Sequence, residues 1–223
     1  MGGVVVVKAR IPDLIIAMDV PDRAALCEGL RRLPPEADFF KIGLELFCAE
    51  GPTIFSAFRD RAARFFLDLK LHDIPRTVER AVRAAARWGV ELLTVHASGG
   101  PAMIRAAAEA ARTAATRPPR ILAVTVLTSL DAEDLARLGL GQTPTDLALQ
   151  WARLAWENGA DGVVCSAREV AAMRKALGPD VRLVTPGIRP TGSDRGDQKR
   201  TATPEEAARN GADAIIVGRP ILD

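Results

Sequence analysis

A chain of 223 residues, 48% hydrophobic and 26% charged, has the make-up of a soluble globular protein long enough for one sizeable core. Its net charge of +2 gives no basis for an extended nucleic-acid surface, and the apolar run Val4-Val5-Val6-Val7 is too short for a signal core or a membrane span. Cys27, Cys48 and Cys165 are odd in number and lack metal-ligand spacing, so they read as packing thiols of a reducing cytosol; with His72 and His96 the only histidines, a histidine-rich metal site is excluded.

From Leu14 onward one unit repeats: a short apolar strand, a loop, then an alanine-rich amphipathic helix. The predicted strands are 14–19, 39–43, 64–70, 92–97, 121–127, 162–166, 182–187 and 214–218. Predicted helices lie near 22–32, 44–59, 76–88, 101–115, 145–158, 167–177 and 204–210. Eight strands alternating with helices, with no composition break, predict a single α/β domain over residues 1–223, built as a (β/α)8 TIM barrel. No Gly-x-Gly-x-x-Gly follows the first strand, which argues against a dinucleotide-binding sheet.

The most informative stretch is Phe65 to Thr77. Alternation along a strand turns Phe65, Leu67, Leu69 and Leu71 to one face, and Asp68 and Lys70 to the other, about 7 Å apart. Asp73 follows where the strand runs out, and Pro75 suits the first turn of a helix. An ion pair seldom repays its desolvation in a core, so this acid, base and second acid at a strand end are functional candidates; the alternative is a structural ion pair. In a barrel, active-site residues belong at the C-terminal strand ends. Asp19 after strand one, Lys41 on strand two and Thr128-Ser129 after strand five stand there as well. Asp19 alone could equally cap a helix.

The last quarter has a different chemistry. Pro186-Gly187-Ile188-Arg189-Pro190 follows strand seven, a polar loop 191–203 with Gln198 comes next, and Gly218-Arg219-Pro220 follows strand eight. Loops after strands seven and eight form a recurring phosphate site in these barrels, using backbone N–H groups and guanidinium forks. The length of loop 191–203 suggests a lid.

Together these segments resemble the orotidine 5'-monophosphate decarboxylase family, from about Leu14 to Leu222. The resemblance rests on Asp-x-Lys-x-x-Asp-Ile-Pro-x-Thr at 68–77, Val-Thr-Val-Leu-Thr-Ser at 124–129, Pro-Gly-Ile-Arg-Pro at 186–190, Asp-Gln-Lys-Arg at 197–200 and Gly-Arg-Pro-Ile at 218–221. It implies decarboxylation of orotidine 5'-monophosphate to uridine 5'-monophosphate with no metal or organic cofactor. It makes Lys70 the acid that protonates C6, with Asp68 beside the departing carboxylate and Lys41 and Asp73 completing a charge row. It assigns Asp19 and Lys41 to the ribose hydroxyls, Thr128 and Ser129 to the pyrimidine, and Arg189, Gln198, Gly218 and Arg219 to the phosphate, with Pro186 a further substrate-binding residue. Asp73 and Thr77 would reach the neighbouring subunit's site, which implies a homodimer; neither nucleic acid nor membrane is an expected partner.

One departure stands out. The chain stops at Asp223, where the family continues into a last helix; with seven helices for eight strands, either the chain is shortened or strand eight lacks its usual cover and exposes apolar surface, and lower stability than an extended version is expected. The nearest alternative is a sugar-phosphate relative of the same suprafamily, such as 3-keto-L-gulonate 6-phosphate decarboxylase or hexulose phosphate synthase. These share Asp-x-Lys-x-x-Asp but use magnesium and carry an acidic residue where Lys41 stands. A non-catalytic phosphate-binding barrel is the other alternative. His72 and His96 are read as structural.

Overall fold

Short runs such as Leu-Ile-Ile-Ala and Ala-Ile-Ile-Val favour strands buried on both faces, and eight of them form the centre of the molecule. The computed structural model describes residues 11–114, 116–190 and 201–222. The strands are β1 (Asp13–Ala17), β2 (Phe39–Ile42), β3 (Arg64–Leu71), β4 (Leu92–His96), β5 (Arg120–Val124), β6 (Gly162–Val164), β7 (Arg182–Thr185) and β8 (Ala214–Val217). Each pairs in parallel with its neighbour in sequence, and β8 pairs with β1, closing the barrel. The predicted (β/α)8 architecture is the one observed.

The helices are α1 (Arg23–Arg32), α2 (Leu44–Glu50), α3 (Pro75–Ala86), α4 (Gly100–Ala114), α5 (Ala132–Arg137), α6 (Pro144–Glu157), α7 (Val170–Leu177), α8 (Pro204–Arg209) and α9 (Arg219–Leu222). Their starts follow local chemistry. Asp22 caps α1 by accepting from Ala25 N, Thr143 caps α6, and Thr203 forms a capping box with Glu206 on α8. None of these helices is long and apolar enough to cross a membrane. All three cysteines are free thiols.

Two apolar layers result from the strand alternation. Inside the barrel Ile15, Phe39, Phe66, Leu92, Leu122, Val184 and Ile216 fill the lower part. Outside, Ile16, Phe40, Leu67, Leu93, Ile121 and Leu183 pack beneath the helices. The floor is tied by charge: Asp13 Oδ2 accepts from Arg182 at 2.7 Å and lies 3.5 Å from Arg64, which is also bidentate to Glu91.

Four local features depart from expectation. Asp19, Gly43, Leu127 and Ser166 lie beyond their strands, because the chain leaves the ladder as it turns out of the barrel mouth. The predicted helix 44–59 is two pieces: α2 stops where Gly51 takes φ +60°, and Pro52 opens a 3-10 helix, Gly51–Phe58. Helix α5 was not predicted; an Asp131/Asp134 capping box nucleates it. The expected exposed final strand is not observed. Strand β8 is at most 7% exposed, and α9 follows it directly, with Ile221 and Leu222 packed against the outer core.

Candidate active site

Above the inner apolar layer, the next inward positions change character. Lys41 follows Phe39 on β2, Asp68 follows Phe66 on β3, and Thr94 follows Leu92 on β4; all three are buried. Lys41 and Asp68 line an open cavity of about 580 Å³ at the C-terminal ends of the strands, and Thr94 lies beneath them, bonded to Asp68. Asp19, Lys41, Asp68, Lys70, Val126, Thr128, Pro186, Arg189, Gly218 and Arg219 are among the residues that line it.

The charges alternate as a chain. Asp19 Oδ1 accepts from Lys41 Nζ at 2.6 Å; Lys41 Nζ lies 4.0 Å from Asp68 Oδ2; Asp68 Oδ2 accepts from Lys70 Nζ at 2.9 Å. Lys41 and Asp68 are 8% and 9% exposed, so the middle of this row sits where water screens poorly and fixed charge acts strongly, while Asp19 at one end is open to solvent. Gly43 makes room for it: a Cβ there would lie 3.0 Å from Lys41 Nζ and 3.1 Å from Asp19 Oδ1.

The expected alternation on β3 holds, since Leu69 and Leu71 pack outward while Asp68 and Lys70 face the cavity. The backbone that achieves it is not a regular strand. The β3–β4 register shifts between Leu67 and Leu71, and Lys70 takes φ +49°, the only non-glycine residue among those described with positive φ. That conformation costs about 1–2 kcal/mol for an L-residue, strain of a kind that clusters at active sites and ligand clamps.

The predicted site residues divide into three groups. Asp19, Lys41, Asp68, Lys70, Thr128, Pro186, Arg189, Gly218 and Arg219 are brought together at the cavity. Asp73, Thr77 and Ser129 are exposed and do not line it. Asp73 Oδ1 accepts from Ile74 N at 2.6 Å, and Ile74 itself is 67% exposed. Gln198 and most of the predicted lid lie outside the described residues. Thr94 was not singled out from sequence; its signal is a lone hydroxyl at an inward position of the strand Leu-Leu-Thr-Val-His.

The two histidines stack beside the site, ring centroids 5.4 Å apart, and Trp151 of α6 meets His96 edge-on. Burial and the nearby positive charges of His72 and Lys70 push His96 down to a pKa of about 4. Its Nδ1 lies 2.6 Å from Ser98 Oγ. A neutral His96 therefore buttresses the β3–α3 loop without adding charge to it.

Comparison with known proteins agrees with this geometry. The sequence model of the "Orotidine 5'-phosphate decarboxylase / HUMPS family" matches residues 12–223. An orotidine 5'-phosphate decarboxylase of Moorella thermoacetica is 53% identical over 213 residues, covering 93% of this chain and 84% of that protein. One from Anaeromyxobacter sp. (strain K) is 53% identical over 207 residues, covering 93% and 89%. Among solved structures, orotidine 5'-phosphate decarboxylase from Lactobacillus acidophilus superposes with a TM-score of 0.83 at 37% identity, covering 94% of this chain and 91% of that one. An uncharacterized conserved protein from Geobacillus kaustophilus gives 0.80 at 37%, covering 92% and 90%. On the fold, the matched span and these identities, the chain belongs to the orotidine 5'-phosphate decarboxylase / HUMPS family.

Proposed function

We propose that this protein decarboxylates orotidine 5'-monophosphate to uridine 5'-monophosphate and carbon dioxide, as a step of pyrimidine nucleotide synthesis, and that one barrel domain carries the chemistry. The observation that carries this reading is the row Asp19–Lys41–Asp68–Lys70, buried at Lys41 and Asp68, along a cavity that Arg189 and Arg219 also line. The bond from C6 to the carboxylate carbon breaks, its electron pair stays on C6, and Lys70 Nζ supplies the proton that replaces carbon dioxide. A preorganised ammonium in a poorly screened pocket stabilises the charge developing at C6. Asp68 holds that ammonium in place and lies beside the substrate carboxylate. Asp19 and Lys41 bind ribose hydroxyls, and Thr128 with Ser129 reads the pyrimidine edge. Arg189, Gly218 and Arg219, together with Gln198, take the phosphate, Pro186 packs against the substrate, and contacts at that remote end help hold the reacting ring.

Asp73 and Thr77 act across a dimer interface, each completing the partner's site. Their exposure on a loop beside the solvent-facing Ile74, away from their own cavity, supports that arrangement. The proposed location is a reducing cytoplasm, in keeping with three free thiols. Lys41 favours the pyrimidine substrate over a magnesium-dependent sugar phosphate, because its ammonium stands between the carboxylates of Asp19 and Asp68 where a cation would need to bind.

The test is loss of the ultraviolet absorbance of orotidine 5'-monophosphate with chelator present, for wild type and Lys70→Ala. Turnover in chelator that collapses in the variant is the expected result. No turnover by folded, dimeric wild type overturns the reading and directs attention to sugar phosphates with magnesium.

A further inference from the structure

We infer that Thr94 is a positioning residue for the proposed decarboxylation: its hydroxyl holds both the strained peptide of Lys70 and the carboxylate of Asp68 in the geometry the reaction uses. The inference rests on the functional reading above and deepens it. Thr94 is fully buried on β4, between the inner apolar layer and the cavity. Its Oγ1 accepts from Lys70 N at 2.8 Å and donates to Asp68 Oδ1 at 2.9 Å. A hydroxyl has one proton, so donation to Asp68 leaves only lone pairs for the Lys70 amide, and both bonds are satisfied at once.

Each bond answers a specific need. In the stretch where the β3–β4 register shifts, the Lys70 N–H is met by the Thr94 side chain instead of a ladder carbonyl. Without that acceptor a partly buried donor would be orphaned, and the left-handed φ at Lys70 would lose its support. On the other side, fixing Oδ1 of Asp68 turns Oδ2 toward the two ammonium groups, 2.9 Å from Lys70 Nζ and 4.0 Å from Lys41 Nζ. One hydroxyl thus sets the backbone from which the acid projects and the carboxylate that steers its end. Valine has nearly the shape of threonine and neither of these bonds, while serine keeps both.

The test compares Thr94→Val and Thr94→Ser with wild type, with Thr125→Val as a control. Thr125 is an equally buried threonine whose hydroxyl donates to the Val164 carbonyl, away from the charge row. For Thr94→Val, kcat is expected to fall about tenfold to a hundredfold while KM moves little, as for a small displacement of reacting groups. Thr94→Ser should restore most of kcat, and Thr125→Val should leave kcat within about twofold even if its thermal midpoint drops. An equal kcat in Thr94→Val, or a loss in Thr125→Val as large as in Thr94→Val, overturns the inference and leaves the decarboxylase reading standing. Amide hydrogen exchange at Lys70, read by NMR, needs no turnover. It should be slow in wild type and Thr94→Ser and at least about tenfold faster in Thr94→Val. Unchanged exchange overturns the positioning role. Inactive wild type with the expected exchange pattern overturns the decarboxylase reading and with it the catalytic purpose of Thr94.

Discussion

Lys41 Nζ stands 2.6 Å from Asp19 Oδ1, joining β2 to the segment that leaves the neighbouring strand β1 at the mouth of the barrel. The same ammonium approaches Asp68, so its removal leaves a buried carboxylate with one cation instead of two. For Lys41→Met, kcat/KM for orotidine 5'-monophosphate is expected to fall by about a hundredfold to a thousandfold, the usual cost of deleting one preorganised charge. Steady-state kinetics on a variant of wild-type circular dichroism measures it. A change within about threefold would mean that the row binds nothing that matters to the reaction.

The phosphate assignment separates by substrate. Arg219→Ala should raise KM for orotidine 5'-monophosphate about tenfold to a hundredfold, as expected for losing a charge-assisted hydrogen bond. Turnover of orotidine, which lacks the phosphate, should be unaffected by the same substitution. Equal losses on both compounds would place Arg219 somewhere other than at the phosphate.

His96 gives a pH signature of stability. Its folded pKa of about 4 lies below the ordinary histidine value, so the unfolded chain binds the proton more tightly. Its neutral form therefore stabilises the fold fully above about pH 6.5; that contribution shrinks as pH falls and is gone below about 4. The ring is partly exposed, and solvent screening brings the effect to about 1–2 kcal/mol. Denaturant unfolding of wild type and His96→Gln at pH 7, 5.5 and 4.5 should show the variant losing less stability on acidification. Parallel curves would remove His96 as the cause.

Shared sites can be detected by mixing. Lys70→Ala and Asp73→Ala should each be inactive or nearly so as pure proteins. Refolded together, half the dimers combine the two subunits, and one of their two sites carries neither defect, restoring roughly a quarter of wild-type sites. Absence of any recovery in mixtures shown to contain hybrid dimers would place Asp73 in the site of its own chain.

Much of the barrel was legible because its signals are local and periodic. The two-residue step from Asp68 to Lys70 put both on the cavity side, and Arg189 and Arg219 were placed by the strands they follow. What sequence could not show depends on distant partners. Nothing in Leu69-Lys70-Leu71 announces a left-handed residue; the conformation is held by Thr94, 24 positions away. Helix α5 has only six residues and too few turns for an apolar period, although its Asp131-x-x-Asp134 box was present to be read. The Gly51-Pro52 break was also present and marks the change from α2 to the 3-10 helix. Thr128 and Ser129 are adjacent, yet one lines the cavity and the other faces solvent, a distinction set by how the β5 loop turns.

The ties that Asp13 makes to Arg64 and Arg182 join β1 to β3 and to β7, each two strands away around the barrel, and they do so at the end of the barrel away from the cavity. No residue of the cavity rim takes part in them. Descendants of such a chain could trade one rim loop for another while inheriting the same base, so selection on substrate choice and selection on persistence would act on different letters of the gene.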